Sequence, residues 1–98
     1  AMVVGTLTVR LLVRESRTLK DKRQVVRSIL DRTRDGFNVS AAETDTHDDV
    51  KVATLSFAAV GFEVAAVKGA LEQLTNALRG HPVAEYLGGE LTVGREVV

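Results

Sequence analysis

Basic side chains are concentrated in the first third of this 98-residue sequence, and they are the residues best suited to bind a partner. Up to residue 34 the chain has nine basic and three acidic residues, and from residue 35 onward it has four basic and ten acidic residues. The formal net charge of zero therefore conceals two segments of opposite charge. Because Lys and Arg displace counterions from phosphates, the first segment is a candidate contact surface for nucleic acid.

The basic residues follow one stretch of chain, a loop and the helix into which it leads. With about 100° of rotation per residue, four helical cations fall on one side of the helix, beside the face that we expect to be buried. The arginines of the loop lie next to a helix N-terminus, where free N–H groups favour anions. We also expect Lys22 to lie at the edge of the seam between helix and sheet. The predicted nucleic-acid-binding residues are Arg14, Arg17, Lys20, Lys22, Arg23, Arg27 and Arg34. The alternative is a solvated helix face whose charges pair with the acidic second half.

A second cluster of chemically capable residues surrounds His47. Glu43, Asp45, Asp48 and Asp49 could supply oxygen ligands to a divalent cation, but a tight turn also requires polar residues, and a lone His is weak evidence for zinc. We therefore predict a turn with no metal. The chain has no cysteine, and its serines and glycines form no nucleophile-elbow or phosphate-binding motif. We expect a protein that is not an enzyme and has no cofactor.

Hydrophobic periodicity places these residues on four strands and two helices. Apolar and polar residues alternate over 3–13, which predicts a strand with one buried face. The period becomes helical from Leu19 to about Arg34, with Thr18 as N-cap and Asp21 completing a capping box. Gly69, inside the second helix, predicts a close approach to the sheet. The remaining segments are strands over about 38–43 and 50–60, a helix over about 63–79, and a last strand over about 83–96 with an interruption at Gly88-Gly89.

The order β-α-β-β-α-β predicts a single ferredoxin-like domain of the α+β class over residues 1–98. Right-handed crossovers place both helices on one face of a four-stranded antiparallel sheet with strand order 4-1-3-2. Phe57 is expected to face the helices. The open face then lacks the aromatic side chains on which RNA-recognition domains stack bases.

The open face of the sheet supports a second hypothesis, a homo-oligomeric structural or regulatory module with no nucleic-acid role. Leu12 lies there among Thr6, Thr8 and Thr54, and the predicted edge strand at 38–43 has unpaired backbone groups. Pairing through either surface would be symmetric, most simply in a homodimer.

The beginning of the chain carries no recognisable targeting signal. Ala1 precedes Met2 and is expected to be a remnant of expression. The apolar stretch that follows is broken by Thr6, Thr8 and Arg10, which excludes a signal segment or a membrane span of about 20 residues. We expect a cytoplasmic protein with no membrane contact.

Three segments carry a distinctive pattern: Met2-Val3-Val4-Gly5, Ser16-Arg17-Thr18-Leu19-Lys20-Asp21-Lys22-Arg23, and Phe37-Asn38-Val39-Ser40-Ala41-Ala42-Glu43. Together they resemble the YlxP-like family of small bacterial proteins, a domain of unknown function, over nearly the whole chain. The sequence departs from that family at Val50-Lys51-Val52, where an aromatic residue and Gln-Arg are common, and at Val97 or Val98, where a Trp is common.

The resemblance implies a ferredoxin-like fold and genes near those of translation initiation factor 2 and ribosome-binding factor A. It therefore points to RNA or a ribosomal particle as the partner. Combined with the charge distribution, it leads to the hypothesis of a non-catalytic binding protein that contacts RNA or a ribosomal particle through residues 14–34.

Overall fold

Four strands and two helices follow one another in the computed structural model, which describes residues 2–96. The predicted order β-α-β-β-α-β is confirmed, with boundaries shifted by a few residues. Ala1, Val97 and Val98 lie outside the described residues. The elements are β1 (Met2–Leu12), α1 (Leu19–Gly36), β2 (Ser40–Asp45), β3 (Val52–Gly61), α2 (Val64–Arg79) and β4 (Glu85–Glu96).

The strands form one antiparallel sheet in the order β2-β3-β1-β4. This is the predicted order read from the opposite edge, with β1 in the centre and β2 at an edge. The register of β1 against β3 runs from the pair Val3–Gly61 to the pair Leu12–Val52. Between β1 and β4 the register shifts after Arg10, where Gly88 is its partner. The interruption predicted at Gly88-Gly89 is a bulge one residue earlier, at Leu87, because Gly88 pairs with Arg10 and Tyr86 pairs with Leu11.

A single aliphatic core lies on one face of the sheet. The odd-numbered residues of β1 and β3 point into it, and the buried residues of both helices belong to the same cluster. Both helices therefore cover the same face, as predicted. Phe57 is 2% exposed and faces the helices, as its position in the alternation predicted.

Two glycines, Gly5 and Gly61, mark a close approach between helix and sheet, since a Cβ atom on either would lie 2.6 Å from the Val67 side chain. A Cβ atom on Gly5 would also lie 2.7 Å from Leu71 Cδ1, so α2 crosses β1 at this position. The expectation for Gly69 is wrong, because a Cβ atom there would meet nothing within 4 Å. Gly69 lies on the outer side of α2, away from the sheet.

The capping box predicted at the start of α1 is confirmed. Thr18 Oγ1 accepts a hydrogen bond from the amide of Asp21, and the Asp21 carboxylate accepts one from the amide of Thr18, both at 3.1 Å. The helix continues through Gly36, and the amide of Phe37 donates to Thr33 O at 2.8 Å. No helix within residues 2–96 is long and apolar enough to cross a lipid bilayer.

Candidate nucleic-acid interface

Four exposed cations lie along the outer side of α1 and the loop before it. Within residues 2–96 the side chains of these four residues take part in no ion pair and no hydrogen bond. The three helical members span seven residues, from Lys20 to Arg27, which corresponds to about 10 Å at the helical rise of about 1.5 Å per residue. We call this set the basic stripe: Arg17, Lys20, Arg23 and Arg27.

Arg14 and Arg34, at the two ends of the stripe, already have partners within the chain. Arg14 Nη2 lies 2.9 Å from Glu85 Oε2, and its side chain remains 67% exposed. Arg34 Nη1 lies 3.4 Å from Asp31 Oδ1, and its Nη2 donates to Ala41 O at 2.6 Å. Both guanidinium groups keep exposed N–H donors, but a carboxylate already offsets part of their charge. The uncommitted positive charge is therefore that of the stripe.

Lys22 requires a correction, because its side chain is fully buried and cannot reach an external phosphate. Its Nζ donates to Thr46 O at 2.6 Å and to Val52 O at 3.0 Å. It also lies 3.2 Å from Glu43 Oε2, an ion pair without hydrogen-bond geometry. The helical rotation could have revealed this, since Lys22 falls at about 300° from Leu19, within the arc that carries the other buried residues of α1.

A second lysine connects the same elements in the opposite direction. Lys51 Nζ, at the end of the β2–β3 hairpin, donates to Arg14 O at 2.7 Å and to Ser16 O at 2.8 Å. Lys22 reaches from α1 to the hairpin, and Lys51 reaches from the hairpin to the β1–α1 loop. The loop that carries Arg14 and Arg17 is therefore anchored at both ends. No periodicity in the sequence indicated this role for Lys51, because it depends on two segments meeting across the sheet.

The hairpin residues between Asp45 and Asp49 serve structural contacts. Asp49 Oδ1 accepts hydrogen bonds from the amides of Val52 and Lys51, both at 2.8 Å, and these bonds lower the pKa of Asp49. His47 Nε2 lies 3.2 Å from Glu43 O. Residues 2–96 contain no group of three or more His, Asp or Glu side chains arranged to hold a metal ion.

Thr46, within this hairpin, is the one non-glycine residue of the described chain with a positive φ, 56°. A β-branched residue is unfavourable there. The conformation directs its carbonyl oxygen to Lys22 Nζ. The hydrogen bond from the buried Lys22 therefore stabilises this unfavourable backbone conformation.

The N-terminus of α1 already holds a negative charge, which weakens the expectation that it attracts an external anion. The Asp21 carboxylate accepts hydrogen bonds from the amides of Arg17 and Thr18, both at 3.1 Å, and the bond from Arg17 is the main cause of its lowered pKa. A carboxylate in the first turn is favourable in the helix dipole. The candidate surface is therefore the side of α1 and not its end.

The free edge of β2 is partly covered by side chains of the same chain. Ala41 O accepts from Arg34 Nη2, and Glu43 O lies within hydrogen-bond distance of His47 Nε2. Edge strands that keep their backbone groups occupied are protected against pairing with other chains. This contact makes the predicted pairing through the β2 edge less favourable than pairing through the open face.

A depression of about 670 Å³ lies between the β1–α1 loop and the α2–β4 connection, near His81 and Tyr86. It contains Arg14, which is paired with Glu85, and Arg79, which stacks on the Tyr86 ring at 4.6 Å. His81 Nδ1 accepts hydrogen bonds from the amides of Val83 and Ala84, each at 3.1 Å. Burial lowers the pKa of His81, and the charge of Arg32 lowers it further. These groups stabilise the α2–β4 connection.

Comparison with known proteins identifies a family whose function is unknown. A family model described as "Protein of unknown function (DUF503)" matches residues 4–90. The matched stretch contains the whole basic stripe, both helices and the hairpin with its two lysine contacts. No curated protein matches the sequence.

Proposed function

We propose that this chain, which belongs to the DUF503 family of proteins of unknown function, is a non-catalytic binding protein that contacts RNA or a ribosomal particle. The observation that carries the proposal is the basic stripe, because its four exposed side chains form no ion pair within 4 Å in the described part of the chain. Charge of this kind provides the sequence-independent part of nucleic-acid binding. Arg14 and Arg34 extend the surface at its ends, and Lys22 supports it from within.

The rigidity of the surface favours phosphate contacts over recognition of unstacked bases. Proteins that bind single strands combine positive charge with exposed aromatic side chains. Phe57 is buried, and Tyr86 is engaged by Arg79. Phe62 is exposed, but it follows the end of β3, at the end of the sheet where β1 begins, whereas the basic stripe starts beyond the other end of β1. A helix with its N-terminus capped and its preceding loop anchored by Lys51 offers its cations in fixed positions. The partner that fits this surface is a structured RNA backbone.

The proposal also covers the fold class, the group within the family and the cellular location. We assign the sheet and its two helices to the ferredoxin-like class and the chain to the YlxP-like group within its family. We also propose a cytoplasmic protein without catalytic activity. Lys22, Asp21 and His81 are each held in structural contacts, which supports a role other than catalysis for these three groups.

The test is cosedimentation with purified ribosomal subunits at low and moderate salt. Arg23→Glu/Arg27→Glu reverses two charges of the basic stripe, and Arg32→Glu/Lys68→Glu makes the same change in charge at exposed positions outside it. We expect the first variant to lose binding and the second to keep most of it. Four phosphate contacts predict a salt slope of about 3 to 4 in log affinity against log salt. Wild-type protein that binds neither subunits nor structured RNA at low salt would contradict the proposal.

A further inference from the structure

Six large hydrophobic side chains of the described chain are exposed, and three of them belong to the start of β1, the end of β3 or the residue that follows β3. Phe62 is 78% exposed, Val60 64% and Met2 41%. The register pairs Val4 with Val60 on the face opposite the helices. Phe62 follows the last residue of β3, and continuing the alternation of the strand by one step places it beside Met2 on the same face. We call these four residues the apolar end. The alternation from Thr54 onward already places Val60 and Phe62 on the open face, but the sequence-based prediction ended the strand at Val60.

The middle of the open face carries small side chains whose hydroxyl groups have hydrogen-bond partners on the same face. Thr8 Oγ1 lies 2.9 Å from Ser56 Oγ, which lies 2.6 Å from Thr44 Oγ1, so the hydroxyl groups bond to one another. Arg10 and Glu90 lie on the described part of this face, and at its other end Glu85, the partner of Leu12, forms an ion pair with Arg14. Small side chains of this kind allow another flat surface to approach closely.

We propose that the open face of the sheet is the interface of a homodimer, and that a second copy of this chain covers it. A two-fold axis parallel to the strands, between β1 and β3, lays β1 of each copy across β3 of the other. Val4 then meets Val60 of the partner subunit, and Met2 meets Phe62 of the partner subunit. Arg10 faces Thr54 of the partner subunit, so like charges are not opposed.

The size of the face agrees with a stable dimer. Four strands about 4.8 Å apart and about ten residues long at about 3.4 Å per residue give about 650 Å² on each copy. The total of about 1,300 Å² lies within the range of specific interfaces, about 1,200–2,000 Å². Anionic surfaces such as lipid headgroups or nucleic acid require excess positive charge. The balanced charge of this face fits a copy of itself better.

The first test is light scattering of the full chain at micromolar concentration, where we expect twice the monomer mass of 10.6 kDa. Phe62→Asp should convert the protein to a monomer, raising the dimer dissociation constant by about thirtyfold or more, as expected for an interface hot spot. Val83→Asp is the matched control, since Val83 is 48% exposed in the α2–β4 connection. Circular dichroism verifies that both variants are folded.

A second measurement tests the same site without disrupting it. The sequence has no tryptophan, so Phe62→Trp introduces a single fluorophore. We expect its emission to move to shorter wavelength as protein concentration rises and the dimer forms.

Three results would overturn the proposal: a 10.6 kDa species for the wild type at all concentrations, an indole that stays solvent-exposed in the dimer, or a dimer unaffected by Phe62→Asp. The inference is independent of the proposed function. The basic stripe lies on the helical side of the sheet, so Arg23→Glu/Arg27→Glu should leave the measured mass unchanged.

Discussion

Replacing Lys22 with methionine tests how the hairpin is held against α1. Methionine retains an unbranched apolar side chain of similar length but removes the ammonium group. The change leaves Thr46 O and Val52 O without their donor and leaves the Glu43 carboxylate, whose side chain is 14% exposed, without its counter-charge. Removing one partner of a buried ion pair lowers stability more than replacing both partners with apolar residues, because the remaining charge is buried without a partner.

The expected loss follows from these contacts. Each hydrogen bond from a charged donor contributes about 1.5–3 kcal/mol, and the contributions overlap because they share one nitrogen. Breaking a buried ion pair costs about 3–5 kcal/mol, which we take as the range for the whole substitution. For a domain of this size each 1 kcal/mol lowers Tm by about 4–8 °C, so Lys22→Met should lower Tm by at least about 12 °C.

Urea denaturation of wild type, Lys22→Met and Lys20→Met measures the effect. Lys20 is exposed on the same helix, so its variant should change the free energy of unfolding by no more than about 0.5 kcal/mol. Adding Glu43→Gln to Lys22→Met removes the stranded charge and should recover about 1 kcal/mol or more. If Lys22→Met and Lys20→Met are equally stable, or if Glu43→Gln brings no recovery, the buried lysine does not hold the hairpin.

Three further predictions concern backbone space and pH. Gly69→Ala should raise the free energy of unfolding by about 0.5–1 kcal/mol, since a Cβ atom at this position meets nothing within 4 Å. Gly5→Ala should lower the free energy of unfolding by about 1–3 kcal/mol, because the added Cβ atom overpacks against α2. Equal effects of the two substitutions in urea denaturation would contradict this reasoning. The lowered pKa of Asp21 means that its contribution to stability is present above pH 3.8, the ordinary pKa value, and is lost as pH falls through the folded-state value. The Tm of Asp21→Asn should therefore fall less than the Tm of the wild type over that acid range. The lowered pKa of His81 likewise means that stability is lost as pH falls from 6.5 through the folded-state value. His81→Gln should therefore flatten the dependence of Tm on pH just below pH 6.5. An unchanged dependence would show that His81 has the same pKa in the folded and unfolded states.

Most of the fold could be predicted because local periodicity reports which side of each element is buried. The alternation at Val3–Val13 and the helical spacing of Val26, Ile29 and Leu30 are properties of neighbouring residues, and the same residues are buried in the structure. The capping box of Thr18 and Asp21 is equally local. Handedness of the crossovers then leaves few topologies, which explains why the strand order was predictable.

The candidate site was only partly predictable, because charge in a sequence does not reveal which cations have partners. Arg23 and Arg27 are exposed and unpaired within the described chain, while Arg14 is bound to a glutamate 71 residues away. Such pairings depend on where distant segments meet. The prediction therefore located the helix but overcounted its available charges.

The sequence by itself determined the elements, their buried faces and the concentration of basic residues on one helix, since these depend on the 2.0 and 3.6 residue periods. Only the tertiary structure decided that Lys22 is a buried donor, because its acceptors come from residues 24 and 30 positions further along the chain. It also decided that Val4 and Val60 lie side by side on one face, through the pairing of two strands separated by half of the chain. Burial of a charge and continuity of a surface are set by contacts between distant residues, which periodicity cannot record.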